Sequence, residues 1–192
     1  MNALSFRIPD YPIMDDDRLY KFCVYNREMK IERSSQGEIT VMSPTGGESS
    51  SKNGTIFFFL KQYQRKVKTG KVFDSSGGFV LPNKAMRSPD AAWISTERWE
   101  TLTAEEKRKF PPLCPEFVIE LLSESDDLYR TKKKMEEWME NGCRLGWLID
   151  PFQKNVYIYK EFLQMKTQGF DMVLSGEDIL PGFELPLNEL DD

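Results

Sequence analysis

Apolar residues recur at intervals of three and four in three segments of the chain. Side chains with this spacing share one face of a helix, so the pattern predicts three amphipathic helices. The predicted helices cover residues 15–29, 48–68 and 128–141. The first opens on the acidic run Asp15–Asp17, which we interpret as a solvated helix cap, and the third stops at Asn141-Gly142, a typical helix end.

Shorter apolar or alternating runs, bounded by Gly, Pro, Asn and Ser, predict strands. They lie at residues 30–33, 38–42, 71–74, 78–81, 88–95, 116–122, 145–150, 156–159, 172–174 and 183–185. We expect the first two to form a hairpin, the next three a meander, and 145–150 to pair with 156–159. The dense apolar run 116–122 is typical of a central strand, whereas 96–115 allows only short helical turns. Together these elements predict a mixed α/β (α+β) fold.

Length and composition fit one domain over residues 1–192, since an apolar fraction of 40% can fill a single core of that size. Cys23, Cys114 and Cys143 are far apart and odd in number, which indicates reduced, mostly buried thiols. No apolar run approaches the ~18 residues of a membrane span, and the N-terminus lacks a leader pattern. We therefore expect a cytoplasmic protein with no membrane partner.

The chain contains no histidine and has a formal net charge of −5. The lack of histidine excludes Ser-His-Asp and Cys-His catalysis, His-ligated zinc and water activated by an imidazole. Any enzyme chemistry therefore depends on carboxylates and lysine, with or without a hard metal ion. The acidic charge argues against a nucleic-acid partner, because phosphate contacts need Lys and Arg, although local basic patches could still supply them.

Two acidic residues stand out because of their strand positions. Asp90 follows Pro89 at the start of a predicted strand, and Glu120 lies between apolar neighbours within 116–122. A bare carboxylate in such a run is costly unless it is compensated, and a divalent ion would compensate it. An Asp and a Glu on adjacent strand ends would suffice as the protein half of a magnesium site. The alternatives are a capping role for Asp90 and a structural ion pair for Glu120.

A lysine beside such a metal would orient water and stabilise charge that grows on a phosphate. Lys132, Lys133 and Lys134 lie in a row on the third predicted helix. With Met135 at the centre of the apolar face, about 100° per residue favours Lys132 and Lys134 over Lys133 and does not choose between them. The alternative is a solvated basic face.

The remaining aromatic clusters are interpreted as core. Phe57–Phe59 fits core packing better than a base-stacking platform, since stacking aromatics normally need a basic, exposed surface around them. Tyr129, Trp138 and Trp147 are also assigned to the core.

Several motifs, taken in their order along the chain, resemble a known family. They are Arg87-Ser88-Pro89-Asp90, the run Pro115–Asp126, the block Lys134–Pro151, and the flanking segments Met42–Glu48 and Leu180–Phe183. Each is weak alone, but their order is similar to that of the Uma-two family of restriction-endonuclease-like proteins, within the PD-(D/E)XK nuclease superfamily. The similarity covers nearly the whole chain.

The resemblance implies a restriction-endonuclease-like fold, with a mixed central sheet flanked by helices and an N-terminal helix and hairpin. It also implies that Asp90 and Glu120 bind Mg²⁺ or Mn²⁺ and that Glu48 is an accessory acid. In the superfamily motif a lysine lies two residues after the second acid, whereas this chain has Leu122 there. The Uma-type pattern moves the catalytic amine to Lys134 on the next helix.

The leading hypothesis is a metal-dependent endonuclease that hydrolyses DNA, for which cutting of both strands would call for a homodimer. A catalytically inactive binding or assembly module on the same fold is the alternative, favoured by the acidic net charge and the missing motif lysine. A nucleotide or sugar-phosphate hydrolase with the same metal pair would suit an acidic surface better than duplex DNA does.

Overall fold

The computed structural model describes residues 4–6 and 14–191 of the chain. Its helices are α1 (Asp16–Tyr25), α2 (Gly47–Val67), α3 (Thr96–Glu100), α4 (Ala104–Arg108), α5 (Leu128–Glu140) and a 3₁₀ helix at Leu187–Leu190. Its strands are β1 (Leu4–Phe6), β2 (Lys30–Arg33), β3 (Ile39–Met42), β4 (Gly70–Asp74), β5 (Phe79–Val80), β6 (Met86–Arg87), β7 (Ala91–Ser95), β8 (Phe117–Leu121), β9 (Leu145–Asp150), β10 (Asn155–Lys160), β11 (Lys166–Gly169), β12 (Val173–Ser175) and β13 (Glu184–Pro186). Residues 1–3 and 7–13, on which the expectation of no leader partly depends, lie outside the described residues.

The larger sheet has six strands in the order β11-β10-β9-β8-β7-β4. Strands β8 and β9 pair in parallel, and the other neighbours in this sheet pair antiparallel. The prediction of a central strand within 116–122 is confirmed, because β8 has a neighbour on each side and every residue in it is buried. Helix α5 connects the parallel pair, as parallel strands need a crossover.

Helices cover both faces of this sheet because α2 and α5 each present an apolar stripe to it. Ile56, Leu60 and Tyr63 of α2 join the core cluster on one face. Met135 and Trp138 of α5 join the cluster on the other face. The predicted mixed sheet flanked by helices is therefore confirmed.

A smaller sheet contains the N-terminal strands and lies beside the larger sheet. Its strand order is β1-β3-β2-β6-β5, and β2 and β3 form the predicted hairpin. Leu19 of α1 packs with Ile31 and Ile39, so the first helix covers this hairpin. Because β2 pairs with β6 through Arg33 and Met86, the hairpin lies next to the segment that leads into Asp90.

The predicted meander of residues 71–74, 78–81 and 88–95 is wrong. Strand β4 pairs with β7 in the larger sheet, whereas β5 pairs with β6 in the smaller one. A turn in which Ser76 N donates to Asp74 Oδ1 separates β4 from β5. Phe79 and Val80 are buried, as their apolar character requires, but an apolar run indicates burial and does not specify its partner strand.

The core assignment of the aromatic residues is partly confirmed. Trp138 and Trp147 are fully buried, whereas 69% of Tyr129 and 58% of Phe58 are exposed. These two residues lie on α5 and α2, outside the buried stripe of each helix. A surface helix buries one stripe, so aromatic residues outside that stripe stay exposed.

The described residues contain three free thiols, of which Cys114 and Cys143 are buried, as expected. Asp15 caps α1 by accepting a 2.8 Å hydrogen bond from Arg18 N, which confirms the helix-cap interpretation. Among the helices of residues 14–191, none is long and apolar enough to cross a membrane.

Candidate active site

The pairing of β7 with β8 sets the two singled-out acidic residues side by side. Ala91 lies opposite Ile119 in this antiparallel pair, so Asp90 falls beside the end of β8 that carries Glu120. Asp90 N donates to Ile119 O at 3.0 Å, and Leu121 N donates to Asp90 Oδ2 at 2.8 Å. The backbone of β8 therefore holds the Asp90 carboxylate in place next to Glu120.

Glu120 is only 5% exposed, and both of its carboxylate oxygens have partners. Trp138 Nε1 donates to Oε1 at 2.8 Å. Lys134 Nζ lies 2.9 Å from Oε1 and 3.0 Å from Oε2. Strand alternation explains this arrangement, because Glu120 points to the sheet face that α5 covers. Glu120 thus forms the ion pair that was considered as the alternative to a metal ligand, and it does so beside a second acid.

Helical spacing favoured Lys132 and Lys134 equally as the candidate amine, but the structure places these two side chains in different surroundings. Lys134 Nζ contacts Glu120 and also lies 2.8 Å from Glu32 Oε1. Lys132 Nζ lies over the ring of Tyr157, 3.8 Å from its centroid. Of the three lysines on α5, Lys134 is therefore the one whose amine lies at Glu120 and Glu32.

Glu32 of β2 is a member of this cluster that the sequence pattern did not predict. It is 4% exposed and accepts a 3.0 Å hydrogen bond from Ser88 N. Arg87 bridges it to α5, with Nη1 at 3.1 Å from Glu32 Oε2 and Nε at 2.5 Å from Glu137 Oε2. The one available signal was that Lys30 and Glu32 alternate with an apolar residue and so share a strand face.

The electrostatics of the cluster differ between its two buried acids. Burial raises the pKa of Glu120 to about 7 against the opposing charge of Lys134, and the negative charges of Asp90 and Glu32 add to the increase. Burial also acts to raise the pKa of Glu32, but the charges of Lys134 and Arg87 and the bond from Ser88 outweigh it and lower that pKa to about 2. Burial favours neutral Lys134, yet the two acids together hold its pKa above the ordinary value, so the amine stays charged.

Asp90 is less enclosed than Glu120, with a side chain that is 14% exposed. Its Oδ1 lies 3.6 Å from Lys30 Nζ and accepts a 3.3 Å hydrogen bond from Asn53 Nδ2 of α2. The other amide atom, Asn53 Oδ1, is buried and finds no hydrogen-bond partner among the described residues. Asn53 therefore carries a buried acceptor without a donor next to the amide nitrogen that contacts Asp90.

Glu48, the predicted accessory acid, lies in the first turn of α2 and is exposed. Within residues 14–191 it makes no ion pair and no side-chain hydrogen bond, unlike the other predicted site residues. The structure therefore brings Asp90, Glu120 and Lys134 together and leaves Glu48 outside their contacts.

The oxygen donors at Asp90 fit a hard divalent cation. Carboxylates and amide oxygens are the ligands that Mg²⁺ and Mn²⁺ prefer, and magnesium often takes only one or two carboxylates. Among residues 4–6 and 14–191, no group of three or more His, Cys, Asp or Glu side chains could hold a metal ion. An ion at this place would meet the oxygens of Asp90 and Glu120, the latter already in contact with Trp138 and Lys134, and Asn53 Oδ1 would be a neutral third oxygen.

The fold and the carboxylate-lysine cluster define a restriction-endonuclease-like protein, and comparisons with known proteins agree. A crystal structure described as "a putative nuclease belonging to DUF820" from Anabaena variabilis is similar over 83% of this chain and 88% of its own, with a TM-score of 0.70. The two sequences are 17% identical, so this likeness concerns the fold. No curated protein matches the chain at a significant level.

The family model described as "Uma2: Putative restriction endonuclease" matches residues 16–188. The chain belongs to the Uma2 family, which confirms the resemblance seen in the order of its motifs.

Proposed function

We propose that this protein is a metal-dependent endonuclease that hydrolyses phosphodiester bonds of DNA. The observation that carries the proposal is the pairing of β7 with β8, which sets Asp90 beside Glu120, with the charged Lys134 amine against the Glu120 carboxylate. Membership of the Uma2 family supports a nuclease-like function.

Asp90 and Glu120 would hold Mg²⁺ or Mn²⁺, with Asn53 Oδ1 as a further oxygen donor. Such an ion supplies Lewis-acid chemistry, polarising phosphoryl oxygens and lowering the pKa of water. Lys134 would orient water next to Glu120 and neutralise negative charge that develops on the phosphate. Glu32 keeps the amine charged and in position, and Trp138 fixes the orientation of Glu120.

Other expectations from the sequence remain predictions. They are the accessory role of Glu48, a homodimer that would cut both strands, a cytoplasmic location, and a single domain over residues 1–192.

The proposal is tested by plasmid cleavage in Mg²⁺ or Mn²⁺, with chelator as the blank. We expect Asp90→Asn and Glu120→Gln each to lose on the order of 100-fold or more in rate, since each removes a charged ligand. Glu116→Gln is a matched control: Glu116 is also buried and ion-paired, 3.2 Å from Arg98 Nη1, but it precedes the opposite end of β8. Full activity in both Asp90→Asn and Glu120→Gln would refute the proposal.

A second candidate function is a non-catalytic binding or assembly module. The observation that favours it is that both Glu120 oxygens are occupied by Trp138 and Lys134, while the buried Leu122 takes the place of the motif lysine. Titrating the protein with Mn²⁺ in a calorimeter distinguishes the two candidate functions. Heat of binding that disappears in Asp90→Asn favours the nuclease, and a folded protein that binds no ion and cleaves nothing favours the module.

A further inference from the structure

Charge is distributed unevenly along this acidic chain. Residues 49–73 carry six basic side chains and no acidic one. Subtracting these six from the 26 basic residues of the whole chain leaves 20, against 31 acidic residues. Residues 49–73, which cover α2 after Glu48 and the start of β4, therefore carry a charge of +6, while the rest of the chain carries −11. We call its basic residues the basic face: Lys52, Lys61, Arg65, Lys66, Lys68 and Lys71.

The charge of the basic face is not neutralised within the protein. In the part of the chain that the structure describes, none of its six side chains makes an ion pair or a hydrogen bond. Arg65, Lys66, Lys68 and Lys71 are exposed, and Lys52 and Lys61 are partly so. The elements that pack on α2 include β13 and the 3₁₀ helix, whose Glu184 and Glu189 also make no ion pair with it. The helix therefore presents free cations to solvent.

Helix geometry places part of the basic face together with an exposed aromatic ring. At 3.6 residues per turn, Phe58, Lys61 and Arg65 fall on one side of α2, opposite the buried Ile56, Leu60 and Tyr63. Phe58 is 58% exposed within this stripe. Aromatic rings that contact nucleic acid need a basic, exposed surface around them, and this stripe provides one.

The same helix connects this stripe to the candidate active site. Asn53, in the N-terminal half of α2, donates to Asp90 at 3.3 Å. At 1.5 Å per residue, Lys61 and Arg65 lie about 12 and 18 Å farther along the axis. At 3.4 Å per base pair, these two distances correspond to about 3.5 and about 5 base pairs. Around the axis, Lys61 and Arg65 lie about 80° and 120° from Asn53. A strand whose phosphate lay at Asp90 would therefore reach these cations by running along α2 and turning partly around it.

We infer that the basic face of α2 and β4 binds the phosphate backbone of the nucleic acid and guides it to Asp90 and Glu120. This inference rests on the proposed function and adds to it the surface that holds the substrate. It also accounts for how an acidic protein could bind a polyanion, because the contact is made by one locally basic helix.

The test measures binding apart from cleavage. A fluorescein-labelled duplex of about 20 base pairs is titrated with protein in chelator, with anisotropy as the readout and KCl varied from about 50 to 200 mM. Lys61→Gln/Arg65→Gln should weaken binding on the order of tenfold and reduce the slope of log Kd against log salt by about 2, at roughly 0.9 per lost phosphate contact. The control is Lys21→Gln/Lys166→Gln, which removes two exposed lysines outside the basic face.

Equal binding by Lys61→Gln/Arg65→Gln and its control would overturn the inference, even if the wild-type protein cleaves DNA. The inference would also be overturned if the protein bound phosphatidylglycerol vesicles through this face and did not bind DNA. Duplex binding that depends on the two residues supports it, even if no DNA is cleaved in Mg²⁺ or Mn²⁺. Failure of the proposed function and failure of this inference therefore give different results.

Discussion

The two halves of the candidate site are built differently. The buried half comprises the buried side chains of Glu32, Glu120 and Trp138 with the less buried cations Arg87 and Lys134, and the polar contacts among these five side chains range from 2.8 to 3.1 Å. The open half comprises Lys30, Glu48, Asn53 and Asp90. Its side-chain contacts to Asp90 are 3.3 and 3.6 Å, Asn53 Oδ1 has no described partner, and Glu48 makes no contact with the rest.

The difference separates a part that fixes geometry from a part that can exchange ligands. A buried, fully paired charge network holds its members in place, because breaking one pair leaves another charge without compensation. Long contacts to a partly exposed carboxylate cost little to replace. A metal ion or phosphate would therefore replace the contacts of Asn53 and Lys30 with Asp90 Oδ1. Leu121 N would still hold Asp90 Oδ2, and the buried half would hold Glu120 and the amine in place.

The largest effect is expected when the central cation of the buried half is removed. Lys134→Ala leaves Glu32 and Glu120 facing each other without their shared amine, so we expect the free energy of unfolding to fall by about 3–5 kcal/mol. The measurement is urea unfolding at neutral pH in chelator. Lys132→Ala, the matched control on the same helix, removes only the contact over Tyr157 and should cost at most about 1 kcal/mol. Equal losses in the two variants would mean that the network does not stabilise the fold.

A smaller, pH-dependent effect is expected at Glu32. Its pKa is about 2 in the folded protein, below the ordinary 4.5, so its stabilising contribution is complete above pH 4.5 and is lost as the pH falls towards 2. Glu32→Gln should therefore lower the free energy of unfolding at pH 7 by up to roughly 3 kcal/mol. The difference from the wild type should shrink between pH 4.5 and 3 in urea unfolding. A difference that stays constant over this range would show that the Glu32 charge is not stabilised by Lys134 and Arg87.

Helices and central strands were predictable because their own apolar pattern encodes them. The 21-residue helix α2 begins one residue from its predicted start, and β8 lies within its predicted run. Sheet partners were not predictable in the same way. Phe79 and Val80 are apolar enough for either sheet, and only the tertiary structure assigns them to the smaller one.

The candidate site likewise contains residues that the sequence pattern could predict and a residue that only the tertiary structure reveals. Asp90, Glu120 and Lys134 were accessible because each interrupts or follows a recognisable element, and family motifs favoured Lys134 over Lys132. Glu32 was not accessible, since its bond to Ser88 joins residues 56 positions apart. A charged residue in a hairpin strand has the pattern of a solvated surface, and the alternation of Lys30 and Glu32 indicates a shared strand face but not its burial.

The smallest effect on stability is expected in the open half. There the effect on Mn²⁺ binding is expected to be larger than the effect on stability. Lys30 Nζ lies 3.6 Å from Asp90 Oδ1 with a partly exposed side chain, so Lys30→Gln should change the free energy of unfolding by less than about 1 kcal/mol. A cation at Asp90 competes with this amine, and removing the amine should therefore tighten Mn²⁺ binding in calorimetry. Glu48→Gln, equally mild for stability, should weaken Mn²⁺ binding if Glu48 is the accessory acid. Weaker binding in Lys30→Gln would instead mean that Lys30 positions Asp90 for its ligand, and the open half would then be as fixed as the buried one.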